Sequence, residues 1–276
     1  MANTTVLVTG STGKTGRRVS ERLRQRGHDV REASRSSRPS FDWQDHNTWP
    51  PALHGVDAVY VVIPDLGDPA AVETTRSFAA HAAAAGVRKA VMVSVPIAGT
   101  DDSAAITDTE KAFTAAGLAL TALRLRWFNQ NFSEDFLLDS VTVGDIRVPA
   151  GDGREAFVDA DDIADVAVQC LLDDVHDGRY YELTGPDALS FKEVAAILTE
   201  ITGRTITYSP LSAAQFISEQ EASGAPTDWA HALTGLYSKI ADGSLDSTST
   251  DIEAVLGRPA RSFRSYATAT AQAWTS

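Results

Sequence analysis

Residues Val6 to Gly16 read V-L-V-T-G-S-T-G-K-T-G. An apolar run reaches Thr9, glycines follow at Gly10, Gly13 and Gly16, and a helix-like pattern begins. A chain with this order is constrained to a strand, a tight turn and a helix packed back against the strand. Each glycine has its own physical use. One turns the chain sharply out of the strand, one leaves no side chain between backbone and an approaching phosphate, and one allows close helix–strand packing. The helix then offers unpaired N–H groups and its positive dipole end to an anion. The spacing is G-x-x-G-x-x-G, so the first turn is one residue longer than in the common dinucleotide fingerprint. A glycine triplet also fits an ordinary tight turn, but its place between strand and helix favours phosphate binding. Gly10, Ser11, Thr12, Gly13, Lys14, Thr15 and Gly16 are therefore candidate diphosphate-binding residues.

Strand-like and helix-like segments alternate through the first two thirds of the chain. Strands are expected at 4–9, 28–34, briefly at Phe41–Trp43, then at Val56–Ile63, Ala90–Val95 and Leu118–Leu125. Helices are expected at 14–26 and at 69–85, the latter stopped by Gly86. Strands separated by helices of this length imply right-handed crossovers and an α/β fold with a doubly wound parallel sheet. Asp161–Leu172 reads as a helix whose acidic start suits the dipole. Beyond Gly178 the pattern loosens. Tyr180–Thr184 and Thr205–Tyr208 look like strands, and Ser190–Thr202 looks like a helix opened by a Ser190–Glu193 capping box. The expected division is a nucleotide-binding domain of residues 1–126 and 153–177 and a smaller α/β lobe of residues 127–152 and 178–276. The sheet edge and this lobe are expected to enclose a cleft, with chemistry at the carboxyl ends of the strands.

Of 276 residues, 24 are Lys or Arg and 37 are Asp or Glu, a formal charge of −13. That balance speaks against a general nucleic-acid partner. The charge is uneven: residues 1–38 hold nine basic and three acidic side chains, and this basic corner coincides with the glycine loop. For most of Arg17, Arg18, Arg22 and Arg24 the expectation is a solvated helix face. No apolar run is long enough to span a bilayer and no leader pattern is visible, so the expectation is a cytoplasmic protein with no membrane partner. Cys170, the single cysteine, sits in an apolar helical segment and reads as a buried structural thiol. A homodimer is the commonest assembly of such chains, though no residue here selects it.

The end of the second strand decides which dinucleotide fits. An acid there would accept hydrogen bonds from a ribose diol and repel a 2′-phosphate. This chain has Ser34 and Arg35, then Ser36, Ser37 and Arg38, while Glu32 lies before the strand end. A hydroxyl and a guanidinium suit phosphate, and Lys14 can add a second positive charge. The expected cofactor is therefore NADP(H) in preference to NAD(H). The competing reading makes Arg35 and Arg38 ordinary loop residues in solvent. Ile63 and Pro64 end the strand of 56–63 and should line the nicotinamide or diphosphate side, and Ser94 ends the next strand.

Several blocks agree in the right order with one family. VTGSTGKTG (8–16), ASR (33–35), TEK (109–111), LTALRLRWFNQNF (120–132), FVDADDIADVA (157–167) and YYELTGPDALSFKEVA (180–195) carry the likeness. The chain resembles the NmrA-like branch of atypical short-chain dehydrogenases/reductases, most of all bacterial NAD(P)H:quinone oxidoreductases of the type 2 kind. The resemblance implies a Rossmann-type fold with a small C-terminal substrate lobe, a bound NADP(H) and a small-molecule substrate.

Departures from the wider superfamily matter as much. Thr107 and Lys111 have the spacing of the Tyr-x-x-x-Lys pair, on one helix face, but threonine replaces the tyrosine. The superfamily serine falls near Pro96, with Ser94 two residues earlier. Threonine can orient a group but is a poor proton donor near neutrality. Lys111 is expected to hold the nicotinamide ribose, unless it is a surface lysine paired with Glu110 or Asp108. Without tyrosine, an acceptor needing little proton assistance, such as a quinone or another conjugated carbonyl compound, is favoured. Trp127, Phe128 and Asn131 are candidate pocket residues, and the Asn129 amide is a candidate to polarise a carbonyl. Trp127 and Phe128 also fit a role as lobe core, and Phe216, Trp229 and Tyr237 are expected in that core. The missing tyrosine leaves two alternatives in place: an NADP(H)-sensing regulator without turnover, and a ketoreductase-type or enoyl-reductase-type enzyme of a biosynthetic pathway. The six histidines show no ligand spacing, so no metal site is expected.

Overall fold

The computed structural model describes residues 3–64, 66, 68–96 and 103–274. The chain divides into two compact units, Met1–Leu125 with Ala160–Leu183 and Asp251–Arg258, and Arg126–Asp159 with Thr184–Thr250 and Pro259–Ser276.

The first unit holds strands β1 (Thr5–Thr9), β2 (Asp29–Ala33), β3 (Ala58–Val61), β4 (Lys89–Ser94) and β5 (Ala119–Leu125). Between them run helices α1 (Lys14–Gln25), α2 (Trp49–Leu53), α3 (Pro69–Ala84) and α4 (Ser103–Ala115). The second unit supplies α5 (Asn131–Glu134), α6 (Leu138–Val143), β6 (Asp145–Ile146) and β7 (Arg154–Glu155). The chain then adds α7 (Ala160–Leu172) and β8 (Tyr180–Leu183) to the first unit. The second continues with β9 (Leu189–Ser190), α8 (Phe191–Thr202), β10 (Thr207–Tyr208), α9 (Ala213–Ala222) and α10 (Thr227–Ala241). Helix α11 (Asp251–Leu256) packs in the first unit and α12 (Phe263–Thr270) in the second.

Six strands form one parallel sheet in the order β2-β1-β3-β4-β5-β8. The fold is Rossmann-like α/β. Alternation along each strand explains its layers: Leu7, Val59, Val61, Ala90, Met92 and Leu120 face one buried cluster with Trp49, Leu53, Phe78 and Phe113 from α2, α3 and α4. Strand order reverses between β1 and β3, and ligands of open α/β sheets bind outside the carboxyl ends of the strands at such a reversal.

The expected strand at Phe41–Trp43 is not formed. The Asp42 carbonyl accepts the Trp49 indole N–H at 2.8 Å, and its N–H donates to Thr48 Oγ1 at 2.9 Å. Side chains thus occupy the groups a ladder would use. Phe41 and Trp43 instead pack edge-on against Phe78, at 5.8 and 4.9 Å between ring centres.

The basic face of α1 is not simply solvated. Arg22 bridges Asp161 at 2.6 Å and Asp165 at 2.5 Å, and Arg18 reaches Asp161 at 3.3 Å. Arg258 pairs with Asp165 at 2.6 Å and with the fully buried Asp162 at 2.8 Å. The acidic start of α7 therefore answers its dipole and also binds α1 and the segment after α11.

That segment corrects the expected domain limits. Residues 178–183 and 251–258 belong with the sheet, because β8 pairs with β5 and the Asp251 carboxylate accepts the Glu182 N–H at 2.8 Å. Arg126 and residues 153–159 belong to the second unit. There the Val158 N–H donates to the Trp127 carbonyl at 2.8 Å, and Arg126 lies 3.4 Å from the buried Glu155.

The second unit pairs β7 antiparallel to β9 and β6 parallel to β10 around a core that includes Phe132, Phe157, Phe191, Phe263 and Trp274. The Ser190–Glu193 capping box forms, and Ser212 with Gln215 repeats it at α9. No helix among the described residues is long and apolar enough to cross a membrane.

Candidate functional site

Each glycine of the loop meets a different constraint. Gly10 leaves β1 with φ +61°, in the left-handed region that favours glycine, and a Cβ there would stand 3.2 Å from Val62 Cβ. Gly13 N-caps α1 with an extended backbone, and its N–H donates to the Gly10 carbonyl at 2.9 Å. At Gly16 a Cβ would lie 2.2 Å from that same carbonyl oxygen, so only glycine lets α1 approach the end of β1 this closely. The twelve-residue helix has no acid in its first turn. Its leading N–H groups and dipole therefore face the loop without a competing carboxylate. Ser11 Oγ is buried and makes no hydrogen bond to any described residue. A glycine-lined turn with an unbonded hydroxyl fits a dinucleotide diphosphate, which Ser11, Thr12 and the N–H groups at the start of α1 would hold. Thr12 is exposed, and Thr15 is buried in α1.

Beside β1, β2 ends at Ala33 and leads into a tight serine turn. Ser37 Oγ donates to the Ser34 carbonyl at 2.8 Å and accepts the Ser34 N–H at 3.1 Å. Ser34 Oγ lies 3.2 Å from Ser36 Oγ. The turn leaves Arg35 exposed, with no hydrogen bond or ion pair among the described residues. Glu32, the nearby acid, is held by Arg24 at 2.6 Å. Two hydroxyls and a guanidinium thus stand at the point where a ribose 2′-substituent is read in this fold. Ile63 is buried and Pro64 exposed at the end of β3.

On α4, Thr107 is half-buried and Lys111 exposed one turn later. Glu110 does not pair with Lys111. It is buried at 1% exposure, where it takes the Ser94 hydroxyl at 2.7 Å and Arg124 at 2.9 and 3.2 Å. Ser94 is fully buried and its hydroxyl is committed to Glu110, so the hydroxyl expected for the cofactor is used inside the fold. Glu110 and Arg124 were not among the expected site residues. A charged residue in the buried series Ile106, Thr109, Glu110, Ala112 and Phe113 of α4 is the signal that marks one of them.

In the second unit Trp127 and Phe128 are half-buried, and Asn129, Gln130 and Asn131 are buried. Trp127 packs 4.7 Å from Tyr237 and 6.0 Å from Phe136, which is 6.2 Å from Trp229. Phe216 and Tyr237 are core residues as expected, whereas Trp229 is 39% exposed. Asn131 opens α5, its carbonyl accepting the Leu137 N–H at 3.1 Å. The Asn129 backbone is fixed by bonds with Val158 and Phe132 at 2.9 and 3.0 Å, yet neither atom of its carboxamide bonds a described residue. Cys170 is buried and its thiol is pushed up to about 12 by that burial. Among the described residues no group of three His, Cys, Asp or Glu side chains is placed to hold a metal ion.

The sequence profile of the NmrA-like family matches residues 2–268. The uncharacterized oxidoreductase YesF of Bacillus subtilis (strain 168) is 33% identical, over 100% of this chain and 98% of its own. The NAD(P)H azoreductase of Xenophilus azovorans is 32% identical, over 98% and 99% of the two chains. Among solved structures, an NADPH-dependent quinone oxidoreductase from Escherichia coli superposes with a TM-score of 0.76 at 25% identity, covering 96% of this chain and 98% of that one.

Two substitutions test the site's geometry. Gly16→Ala forces a methyl into the Gly10 carbonyl, and the unfolding free energy should fall by about 2–4 kcal/mol in urea titrations. A fall below about 0.5 kcal/mol would show that α1 and β1 do not approach this closely. Asn129→Leu, of the same branched shape, removes an unbonded buried amide, so stability in the same assay should rise by about 1–2 kcal/mol. A loss of that size would mean that the amide is hydrogen-bonded in solution.

Proposed function

Because the chain belongs to the NmrA-like family, we propose that it is an NADPH-dependent oxidoreductase acting on a quinone-like or otherwise conjugated carbonyl small molecule. The observation that carries this reading is the junction of β1 and α1, where Gly10 leaves the strand at φ +61° and a Cβ at Gly16 would lie 2.2 Å from the Gly10 carbonyl oxygen, so only glycine sets the start of α1 against the strand end. The named oxidoreductase and reductase relatives, together with the likeness to a quinone oxidoreductase, support the same class. Preference for NADPH rests on Ser34 and Arg35, since an unpaired exposed guanidinium favours a 2′-phosphate over a neutral diol.

When bound, the dinucleotide supplies a hydride, and the acceptor also takes up a proton. The α1 N-terminus and Ser11 would hold the diphosphate, Arg35 and Ser34 the 2′-phosphate, and Lys111 the nicotinamide ribose. By its spacing from Lys111, Thr107 is read at the place of the superfamily's proton-donating tyrosine, and a hydroxyl of such high pKa orients an acceptor without donating efficiently. Conjugated carbonyls accept hydride with little proton assistance, so this replacement agrees with that acceptor class. Asn129 is the candidate to polarise the acceptor carbonyl, with Trp127 and Phe128 as flat apolar contacts.

The absent tyrosine also favours a second reading, an NADP(H)-sensing protein without turnover. NADPH oxidation measured against a panel of quinones separates the two: turnover supports the enzyme, whereas tight binding with no consumption supports the sensor. Arg35→Ala should raise the NADPH Kd by about tenfold and change the NADH Kd by less than about twofold. Equal losses for the two coenzymes would refute the 2′-phosphate assignment.

A further inference from the structure

We propose that Glu110 is a positioning residue, which sets the rotation and height of α4 so that Thr107 and Lys111 stand at the cofactor. This role rests on the cofactor reading above. Glu110 is 1% exposed, and each of its carboxylate oxygens is engaged. Oε1 accepts from Ser94 Oγ at 2.7 Å and from Arg124 Nε at 3.2 Å, and Oε2 accepts from Arg124 Nη2 at 2.9 Å. Ser94 and Arg124 are register partners at the carboxyl ends of β4 and β5. One carboxylate therefore ties α4 to two adjacent strand ends. Arg124 is itself oriented from the other side, its guanidinium carbon 4.8 Å from the centre of the Tyr180 ring on β8.

Packing alone does not require this arrangement. Ile106, Ala112 and Phe113 already bury the inner face of α4, and an apolar side chain at 110 would avoid removing a carboxylate from water. Apolar contacts are non-directional and hold a helix against a sheet at several rotations. A carboxylate receiving three directed bonds selects one. Helix geometry makes that selection relevant to the site, because Glu110 lies one turn beyond Thr107 and directly precedes Lys111. Thr107 sits between the buried face that Glu110 fixes and the exposed face that carries Lys111. Loss of the clamp leaves the fold in place and lets the two side chains drift from the strand ends.

The test is a double-mutant cycle on the intact chain, with NADPH Kd read by fluorescence titration and Tm recorded for every variant. Lys111→Ala should weaken NADPH by about tenfold and Glu110→Ala by about fivefold, because Glu110 acts through Lys111. Glu110→Gln keeps an acceptor for Ser94 and should recover part of that loss. The double variant Glu110→Ala/Lys111→Ala should bind within about twofold of Lys111→Ala alone. Losses that multiply in the double variant, or an unchanged Kd with only a lowered Tm, overturn the positioning role. Should Glu110→Ala fail to fold, Ser94→Ala completes the same cycle, with a loss of about threefold alone and none in the Lys111→Ala background. Wild-type protein that binds no NADPH overturns the cofactor reading, and this role with it; wild-type binding with multiplying losses overturns this role alone.

Discussion

The approach of α1 to the end of β1 is the constraint on which the rest of the first unit depends. Gly16 has no side chain, so the helix lies against the Gly10 carbonyl at a distance no Cβ permits. That contact fixes where the helix begins, and hence where its unpaired N–H groups point. Gly10 in turn lies beside Val62, just past β3, at the reversal of strand order. The proposed anion site is thus a consequence of backbone packing, and backbone groups and small hydroxyls are what it would offer a diphosphate.

Electrostatics around this cradle are selective. Arg18 and Arg22 are taken up by Asp161 and Asp165, and Arg24 by Glu32. Arg35 is left exposed by the serine turn after β2. Within a chain of thirteen excess negative charges, Arg35 therefore has no ion pair among the described residues and follows the strand that pairs with β1. Solvent-exposed charges separated by more than about 8 Å are largely screened at physiological salt. The local placement of Arg35 accordingly matters more for a phosphate than the overall charge does.

Much of this was legible from residue order. The strand–loop–helix opening, the buried strands and the capped helix at Ser190 each follow from local pattern and turn chemistry. Features set by distant partners were not legible. Arg22 and Asp161 are 139 residues apart, and nothing near either one indicates the other. Phe41 to Trp43 has the residue types of a strand, but Thr48 and Trp49 capture its backbone groups. The domain limits shifted because β8 and α11 return to the first unit after the chain has already entered the second. In the candidate site, the residue types at 10–16, 34–35 and 111 carried their own chemistry. The bond that Ser94, an expected cofactor residue, makes to Glu110 sixteen residues later cannot be read locally.

Binding of the reduced coenzyme to the intact chain tests the central claim most directly. Calorimetric titration with NADPH and, in parallel, NADH should give saturable heat for both, with NADPH bound at least about tenfold more tightly. Absence of heat from either coenzyme would contradict the account at its root, since the cradle between β1 and α1 would then hold no dinucleotide.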